Sequence, residues 1–261
     1  MKKMIFKRFV ELSGHPASSA LLKTIARSRL SRKLIKPFAH AYRINEEEAE
    51  FPIDHYDSLQ AYFTRNLKKG SRFIDIHSDT LISPVDGVVT EFGTIDTEQK
   101  FMIKDHLYSI KQILGDEKRA IPFKGGFFYV FYLSPSHYHH FHYPYDGELL
   151  DRYALGTTSY PVNDLGLRWG NQPFATNYRI ISELSTTHGR MAMIKVGALN
   201  VNSIHILDSS TTCTKGEEFG YFSFGSTVIL FIEKNGDFHP TVPMNSEVKM
   251  GQSVGKWSST S

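Results

Sequence analysis

From residue 81 onward the chain consists largely of short apolar or alternating runs, and this pattern restricts the fold more than any other feature of the sequence. Gly, Pro, Asn and Asp residues separate the runs, as is typical of short strands joined by turns. The pattern predicts a mostly antiparallel β core with a long loop over 156–173. The predicted strands cover 88–92, 127–133, 191–196, 201–207 and 228–232.

The first 70 residues differ, because apolar side chains recur there at helical spacing among basic ones. Residues 1–43 carry 11 Lys and Arg and one acid, Glu11, a net charge of 11 − 1 = +10, whereas the rest of the chain carries 19 basic and 26 acidic residues, a net charge of −7. Basic amphipathic helices lie in anionic lipid interfaces, although a helix packed on its own domain with a solvated basic face is the alternative. We therefore predict an α+β protein with an N-terminal, membrane-facing helical region over 1–70 and a β-rich catalytic domain over 71–261.

Local signals mark two helix starts in the N-terminal region. Asn45 precedes three glutamates, which suits the positive end of a helix dipole. Asp57 with Gln60 resembles a capping box, and predicts a second helix that ends near Gly70.

Composition limits where the chain can work. Cys213 is the single cysteine, which excludes an internal disulfide and a zinc site built from several cysteines, and suits a reducing compartment. The longest strongly apolar run, 127–133, is far shorter than the roughly 20 residues that a membrane helix needs, so any membrane contact is expected to be peripheral. No aromatic stacking platform accompanies the basic segment, so nucleic acid is not an expected partner.

The step from Gly225 to Ser226, within Phe224-Gly225-Ser226-Thr227, has the composition of a peptide bond that can cleave itself. The serine hydroxyl can attack the preceding carbonyl and convert the amide into an ester, provided that a base takes its proton and donors stabilise the oxyanion. Glycine leaves the carbonyl approachable and permits unusual backbone angles. Elimination and hydrolysis would then leave a pyruvoyl group at residue 226. By itself, such a tripeptide more often marks only a bend beside a strand.

Two further motifs supply candidate proton carriers. Asp86 follows Ser83-Pro84-Val85 in a turn that ends at Gly87, and four histidines fall within 137–142. His139 and His142 would share one face of a helical turn, but would point to opposite sides of a strand. Histidine suits proton transfer near neutral pH, and aspartate can orient it, so Asp86, His142 and Ser226 could form a relay. A simple Asp-Gly turn, core histidines and a metal site are the alternatives, although neither an HExxH pattern nor a cysteine cluster is present.

These motifs and three others, in the same order, resemble the pyruvoyl-dependent phosphatidylserine decarboxylases of the bacterial proenzyme type over nearly the whole chain. The others are Tyr160-Pro161-Val162-Asn163, Val196-Gly197-Ala198 with Asn202-Ser203-Ile204, and Gly216-Glu217-Glu218. One departure is Phe224, since many members have leucine before the glycine. This substitution keeps an apolar side chain, and we expect it to alter packing rather than chemistry.

The resemblance implies cleavage between Gly225 and Ser226 into a large β chain and a small α chain, with Ser226 becoming the pyruvoyl cofactor. It assigns the self-cleavage relay to Asp86, His142 and Ser226, and decarboxylation to His139. The implied reaction converts phosphatidylserine to phosphatidylethanolamine and CO2 through a Schiff base, with the ketone as the electron sink. No metal is required by this chemistry.

The implied substrate favours the membrane interpretation of the N-terminal region. The resemblance implies a peripheral protein on the cytoplasmic face of the cell membrane, with phosphatidylserine and an anionic lipid surface as partners, and it is compatible with a homodimer of the αβ unit. On the residues alone, two other classes of protein stay open. Residues 83–89 and 248–255 resemble lipoyl or biotinyl carrier modules, although no lysine lies in the expected hairpin, and the histidines are compatible with a metal hydrolase.

Overall fold

A computed structural model describes residues 24–103, 106–160, 162, 172–198 and 203–258. Residues 24–27 are α-helical, and the α-helices whose two ends are described are α1 Ile35–Tyr42, α2 Leu59–Phe63, α3 Ile110–Leu114, α4 Glu117–Ala120 and α5 Pro173–Thr176. Turns of 3₁₀ helix cover Arg29–Leu34, Glu46–Glu48, Ile53–His55 and Ile121–Phe123. The strands are β1 Thr80–Ile82, β2 Gly87–Thr94, β3 Lys100–Ile103, β4 His106–Ser109, β5 Phe127–Leu133, β6 His140–His142, β7 Gly147–Leu155, β8 Arg179–Thr186, β9 Gly189–Gly197, β10 Ile204–Ile206, β11 Thr212–Cys213, β12 Glu218–Phe222, β13 Ser226–Ile232, β14 Phe238–Pro240, β15 Glu247–Val248 and β16 Ser253–Trp257.

The predicted α+β class with an antiparallel β core is confirmed. Four of the five predicted runs lie in β2, β5, β9 and β13. The run at 201–207 forms a strand over Ile204–Ile206, and residues 201 and 202 lie outside the described residues. Most of the predicted loop over 156–173 also lies outside them.

The largest sheet places β13 near its centre. The strand order is β11-β7-β8-β9-β13-β5-β2-β15, and the neighbours pair in antiparallel fashion. Val228 and Leu230 face one hydrophobic cluster, whereas Ile229 and Phe231 face a second cluster on the other side of the sheet. Because both faces of β13 are buried, its sequence is a continuous apolar run rather than an alternating one.

The N-terminal helices pack around a smaller apolar cluster of their own. It includes Ile35 and Phe38 from α1 and Leu59 and Tyr62 from α2. Residues 1–23, the first part of the predicted membrane-facing helical region, lie outside the described residues. Across the described part of the chain, no helix combines the length and the hydropathy that a membrane span needs.

The prediction for the second helix was wrong at both ends. Ser58, not Asp57, caps α2, since its side chain accepts a hydrogen bond from the Ala61 N–H at 3.2 Å. The helix ends at Phe63 rather than near Gly70, because the following backbone pairs with residues 48–50 and cannot continue the helical ladder. Asn45 does cap a helical segment, but this segment is a single 3₁₀ turn.

Candidate active site

The predicted cleavage junction lies where β13 begins. Ser226 is opposite Gly197 of β9 and Leu133 of β5, and its side chain is fully buried. Among the described residues its Oγ has no hydrogen-bond partner. The Gly225 carbonyl accepts a hydrogen bond from the Ala198 N–H at 3.0 Å. A backbone donor on this carbonyl is placed to stabilise the oxyanion that attack by Ser226 would create.

The backbone of Gly225 is not in the left-handed region that glycine favours, unlike several other glycines of the described chain. A left-handed backbone conformation therefore does not explain why a glycine precedes Ser226. A glycine at this position also leaves the carbonyl without a neighbouring Cβ, which favours attack by the serine hydroxyl.

His139 is fully buried immediately before β6. Its Nδ1–H donates a hydrogen bond to the His137 carbonyl at 2.9 Å, so Nε2 carries the lone pair in the neutral ring. Within the described residues this Nε2 has no partner. The Phe63 ring lies 3.9 Å from the imidazole, centre to centre. Burial in this apolar setting holds the pKa of His139 well below its ordinary value.

His142, at the end of β6, has a more polar environment. Its Nδ1–H donates to the Gly216 carbonyl at 2.9 Å, and its Nε2 lies 3.4 Å from the Tyr138 hydroxyl. Burial lowers the pKa of His142, whereas the Gly216 carbonyl and the charges of Glu218 and Asp86 oppose that shift. A proton on His142 is therefore better compensated than one on His139.

Asp86 is buried in the turn before β2, but its hydrogen bonds go elsewhere than to a histidine. The Arg72 guanidinium donates hydrogen bonds to both carboxylate oxygens, and its Nε lies 2.8 Å from Oδ1. The Met250 N–H also donates to Oδ1, at 2.8 Å. Arg72 also pairs with Glu48 at 2.8 Å. The charge of Asp86 thus reaches His142 through space rather than through a direct hydrogen bond in the described contacts.

The contacts bring His139 and the segment before the junction together. The Phe222 N–H donates to the His139 carbonyl at 2.8 Å, and Phe63 packs against both the His139 ring and Phe224. His142 lies opposite Glu218, at the start of β12 and further from the junction in the chain than Phe222. The relay of Asp86, His142 and Ser226 stays a prediction.

The other two histidines of the cluster have acidic partners. His137 Nε2 lies 3.1 Å from Glu247, and His140 Nδ1 lies 2.7 Å from Glu218. In the part of the chain that the structure describes, no three His, Cys, Asp or Glu side chains are grouped as metal ligands would be.

Comparison with known proteins places these features in one family. A family model described as phosphatidylserine decarboxylase matches residues 59–256, which include every candidate residue above. The chain belongs to the phosphatidylserine decarboxylase family. The match begins at the start of α2, so most of the basic N-terminal region lies before it.

Curated relatives of this family resemble the chain over almost its full length. It is 45% identical over 257 residues to the phosphatidylserine decarboxylase proenzyme of Halalkalibacterium halodurans, which covers 98% of this chain and 99% of that one. Identity to the proenzyme of Geobacillus kaustophilus is 44% over 261 residues, with 98% of each chain covered. Identity to that of Bacillus cereus is 42% over 254 residues, with 97% and 95% covered.

The sequence did not predict two groups at the candidate decarboxylase site, the Ala198 N–H and the Phe63 ring. Ala198 acts through its backbone N–H, for which no side-chain signal exists, and Phe63 reaches His139 from the N-terminal region. The Val196-Gly197-Ala198 motif was a usable signal, since it resembles the family. Its role as a backbone donor depends on the pairing of β9 with β13, which the motif alone does not reveal.

Proposed function

We propose that the chain is a self-processing, pyruvoyl-dependent decarboxylase that converts phosphatidylserine to phosphatidylethanolamine and CO2. The observation that carries the proposal is the junction itself. A buried serine hydroxyl, for which the described residues supply no hydrogen-bond partner, follows a carbonyl that a backbone N–H already polarises. The buried imidazole of His139 packs on Phe63, which also contacts this segment. Membership of the phosphatidylserine decarboxylase family supports the substrate.

In self-cleavage, Ser226 Oγ attacks the Gly225 carbonyl carbon and His142 accepts the hydroxyl proton. The oxyanion accepts a hydrogen bond from the Ala198 N–H, and the proton held by His142 passes to the amide nitrogen as the C–N bond breaks. Asp86 and Glu218 favour the protonated imidazole of His142 through their charges. Elimination from the resulting ester, hydration and loss of ammonia convert Ser226 into the pyruvoyl group.

The residues around position 226 fit such a group. The site is buried, and two groups remain there after Ser226 Oγ has left with the Gly225 carboxylate. They are the Ala198 N–H and the His139 Nε2, which has no hydrogen-bond partner within the described residues. When present, the pyruvoyl ketone supplies an electron sink for the pair released with CO2. His139 is neutral and buried beside Phe63, and this apolar setting disfavours a charged carboxylate next to it. His139 is also the candidate donor of the proton that replaces CO2.

We further propose that the protein works at the cytoplasmic face of the membrane as a peripheral enzyme. Its substrate keeps its acyl chains in the bilayer, so the site must approach the lipid headgroups. Exposed basic residues flank the apolar side chain of Leu30, which is 80% exposed, in the 3₁₀ turn before α1. Basic and apolar groups of this kind bind anionic interfaces.

Intact mass spectrometry of the purified protein tests the proposal. We expect a fragment of 261 − 225 = 36 residues whose first residue is pyruvoyl, together with a 225-residue chain that ends at Gly225. Ser226→Ala should abolish both fragments and decarboxylation. A single full-length species with full activity would contradict the mechanism.

A further inference from the structure

The face of the sheet that carries Ser226 holds a second buried hydroxyl without a partner, that of Ser203. Ser203 is fully buried just before β10, and within the described residues its Oγ makes no hydrogen bond. Leaving a buried hydroxyl unpaired costs free energy, so such a group is usually retained for a reason. The steps proposed for Ser226, His142 and His139 do not involve the Ser203 hydroxyl.

The missing side chain of Gly197 leaves room for the Ser203 hydroxyl beside the side chain of Ser226. Gly197 lies directly opposite Ser226, and side chains at directly opposed positions have Cβ atoms about 4.5–5.5 Å apart. A Cβ on Gly197 would lie only 2.6 Å from Ser203 Oγ. The Ser203 hydroxyl therefore occupies the volume of the missing side chain, which is the volume beside Ser226.

The backbone holds Ser203 in this position. Its carbonyl accepts a hydrogen bond at 2.8 Å from the N–H of Ser223, three residues before Ser226. Ser203 is thus tied to the segment that enters the cleavage junction. Ser223 offers a contrast, because its own buried hydroxyl lies 3.2 Å from His205 Nε2 and has a partner.

We propose that Ser203 is a catalytic residue of self-cleavage whose hydroxyl donates a hydrogen bond to Ser226 Oγ in the ester intermediate, although the two hydroxyls are not bonded to each other in the uncleaved chain; this inference rests on the proposed function. In the elimination step a base removes the Ser226 Cα proton, the Cβ–Oγ bond breaks, and the electron pair leaves on Oγ as part of the Gly225 carboxylate. A donor on Oγ stabilises the charge that develops there. Ser203 itself is unchanged at the end of the step.

The test follows self-cleavage of the full chain by intact mass after synthesis, with and without hydroxylamine, which cleaves the ester before elimination. Ser203→Ala should slow formation of the pyruvoyl fragment by roughly tenfold to a hundredfold. With hydroxylamine, which releases a fragment that begins with intact serine, the difference from wild type should shrink to less than about threefold. Processing of Ser203→Ala at the wild-type rate, or equal slowing in both arms, would overturn the proposal.

Matched variants separate this role from a structural one. Ser223→Ala removes a neighbouring buried hydroxyl and its long 3.4 Å bond to the Ser203 carbonyl, but keeps the 2.8 Å bond from the Ser223 N–H to that carbonyl. It should therefore process within about threefold of wild type. Gly197→Ala should displace the Ser203 hydroxyl and slow cleavage as Ser203→Ala does, and the double variant should be no slower than Ser203→Ala alone. A double variant that multiplies the two defects would contradict the shared position.

Folding is checked in a chain that cannot cleave. In the Ser226→Ala background, Ser203→Ala should leave the thermal midpoint of unfolding nearly unchanged, because it deletes a hydroxyl without a partner. If that midpoint falls strongly, Ser203→Cys, which keeps a weak donor on a slightly larger side chain, should process faster than Ser203→Ala; equal rates would reject the hydrogen bond. Failure of wild type to cleave would count against the proposed function, whereas normal cleavage of Ser203→Ala would count against this inference alone.

Discussion

At the scale of the residue, the two candidate histidines are distinguished by their surroundings rather than by their sequence context. His139 packs against Phe63, and no described residue bonds its Nε2. His142 lies near Tyr138 and close enough to the charges of Glu218 and Asp86 to be affected by them. A general base must hold a proton transiently, which favours the histidine with compensating charge. A dry, neutral imidazole suits the loss of a carboxylate. The same residue type is thereby expected to serve two different steps.

We expect His142→Ala to slow cleavage more severely than His139→Ala, on the order of 100-fold or more for loss of a general base. His139→Ala should instead reduce decarboxylation per mole of pyruvoyl group more than it reduces cleavage. The measurements are the rate of fragment formation by mass and the rate of CO2 release, normalised to the processed fraction. The opposite order for cleavage would transfer the role of base to His139.

At the scale of the element, the N-terminal region does two things at once. The apolar side of α1 is packed, since Ile35 and Ala39 are buried in the N-terminal cluster. The α2 helix presents Phe63 to His139. One side of this region is therefore packed on the protein, as the alternative to membrane binding predicted. Membrane binding by the exposed basic side stays a proposal. A helical arm separate from the catalytic part would not reach His139.

Deletion of residues 1–23 tests membrane binding and keeps every described residue of this packing. A longer deletion to residue 36 would remove buried Ile35 and the Ser31 hydroxyl that accepts the Leu59 N–H at 2.9 Å. The shorter deletion removes one acid, Glu11, and the basic residues Lys2, Lys3, Lys7, Arg8 and Lys23.

We expect this deletion to weaken binding to anionic liposomes by at least about tenfold at low salt, with a smaller difference as ionic strength rises. Co-sedimentation measures binding, and liposomes of neutral lipid are the control. Self-cleavage should proceed as in the full chain. Unchanged sedimentation with anionic liposomes would defeat the proposed role of these residues.

At the scale of the whole molecule, buried histidines should make stability depend on pH. Burial lowers the pKa of His137, His139 and His142 in the folded chain. The unfolded chain takes up their protons near the ordinary value of about 6.5, whereas the folded chain resists protonation until a lower pH. Their contribution is therefore fully present above about pH 6.5 and is lost as the pH falls below it.

The uncleavable Ser226→Ala chain allows the pH dependence to be measured by urea unfolding between about pH 8 and 5. We expect the free energy of unfolding to fall on acidification, and His139→Gln to flatten that dependence. His239→Gln, at an exposed position, is the matched control and should keep the slope of the parent chain. A slope that His139→Gln leaves unaltered would show that His139 does not titrate differently in the two states.

The sequence by itself determined four strands of the largest sheet and part of β10, the α+β class, the resemblance to the family and the candidate residues at 86, 139, 142 and 226. These depend on local patterns, because alternation and turn residues act over a few positions. Only the tertiary structure decided that α2 stops at Phe63, that Asp86 bonds to Arg72, and that Ala198 contacts the Gly225 carbonyl. Each of these depends on packing and pairing between segments that are separated in the chain, and no local pattern specifies such contacts.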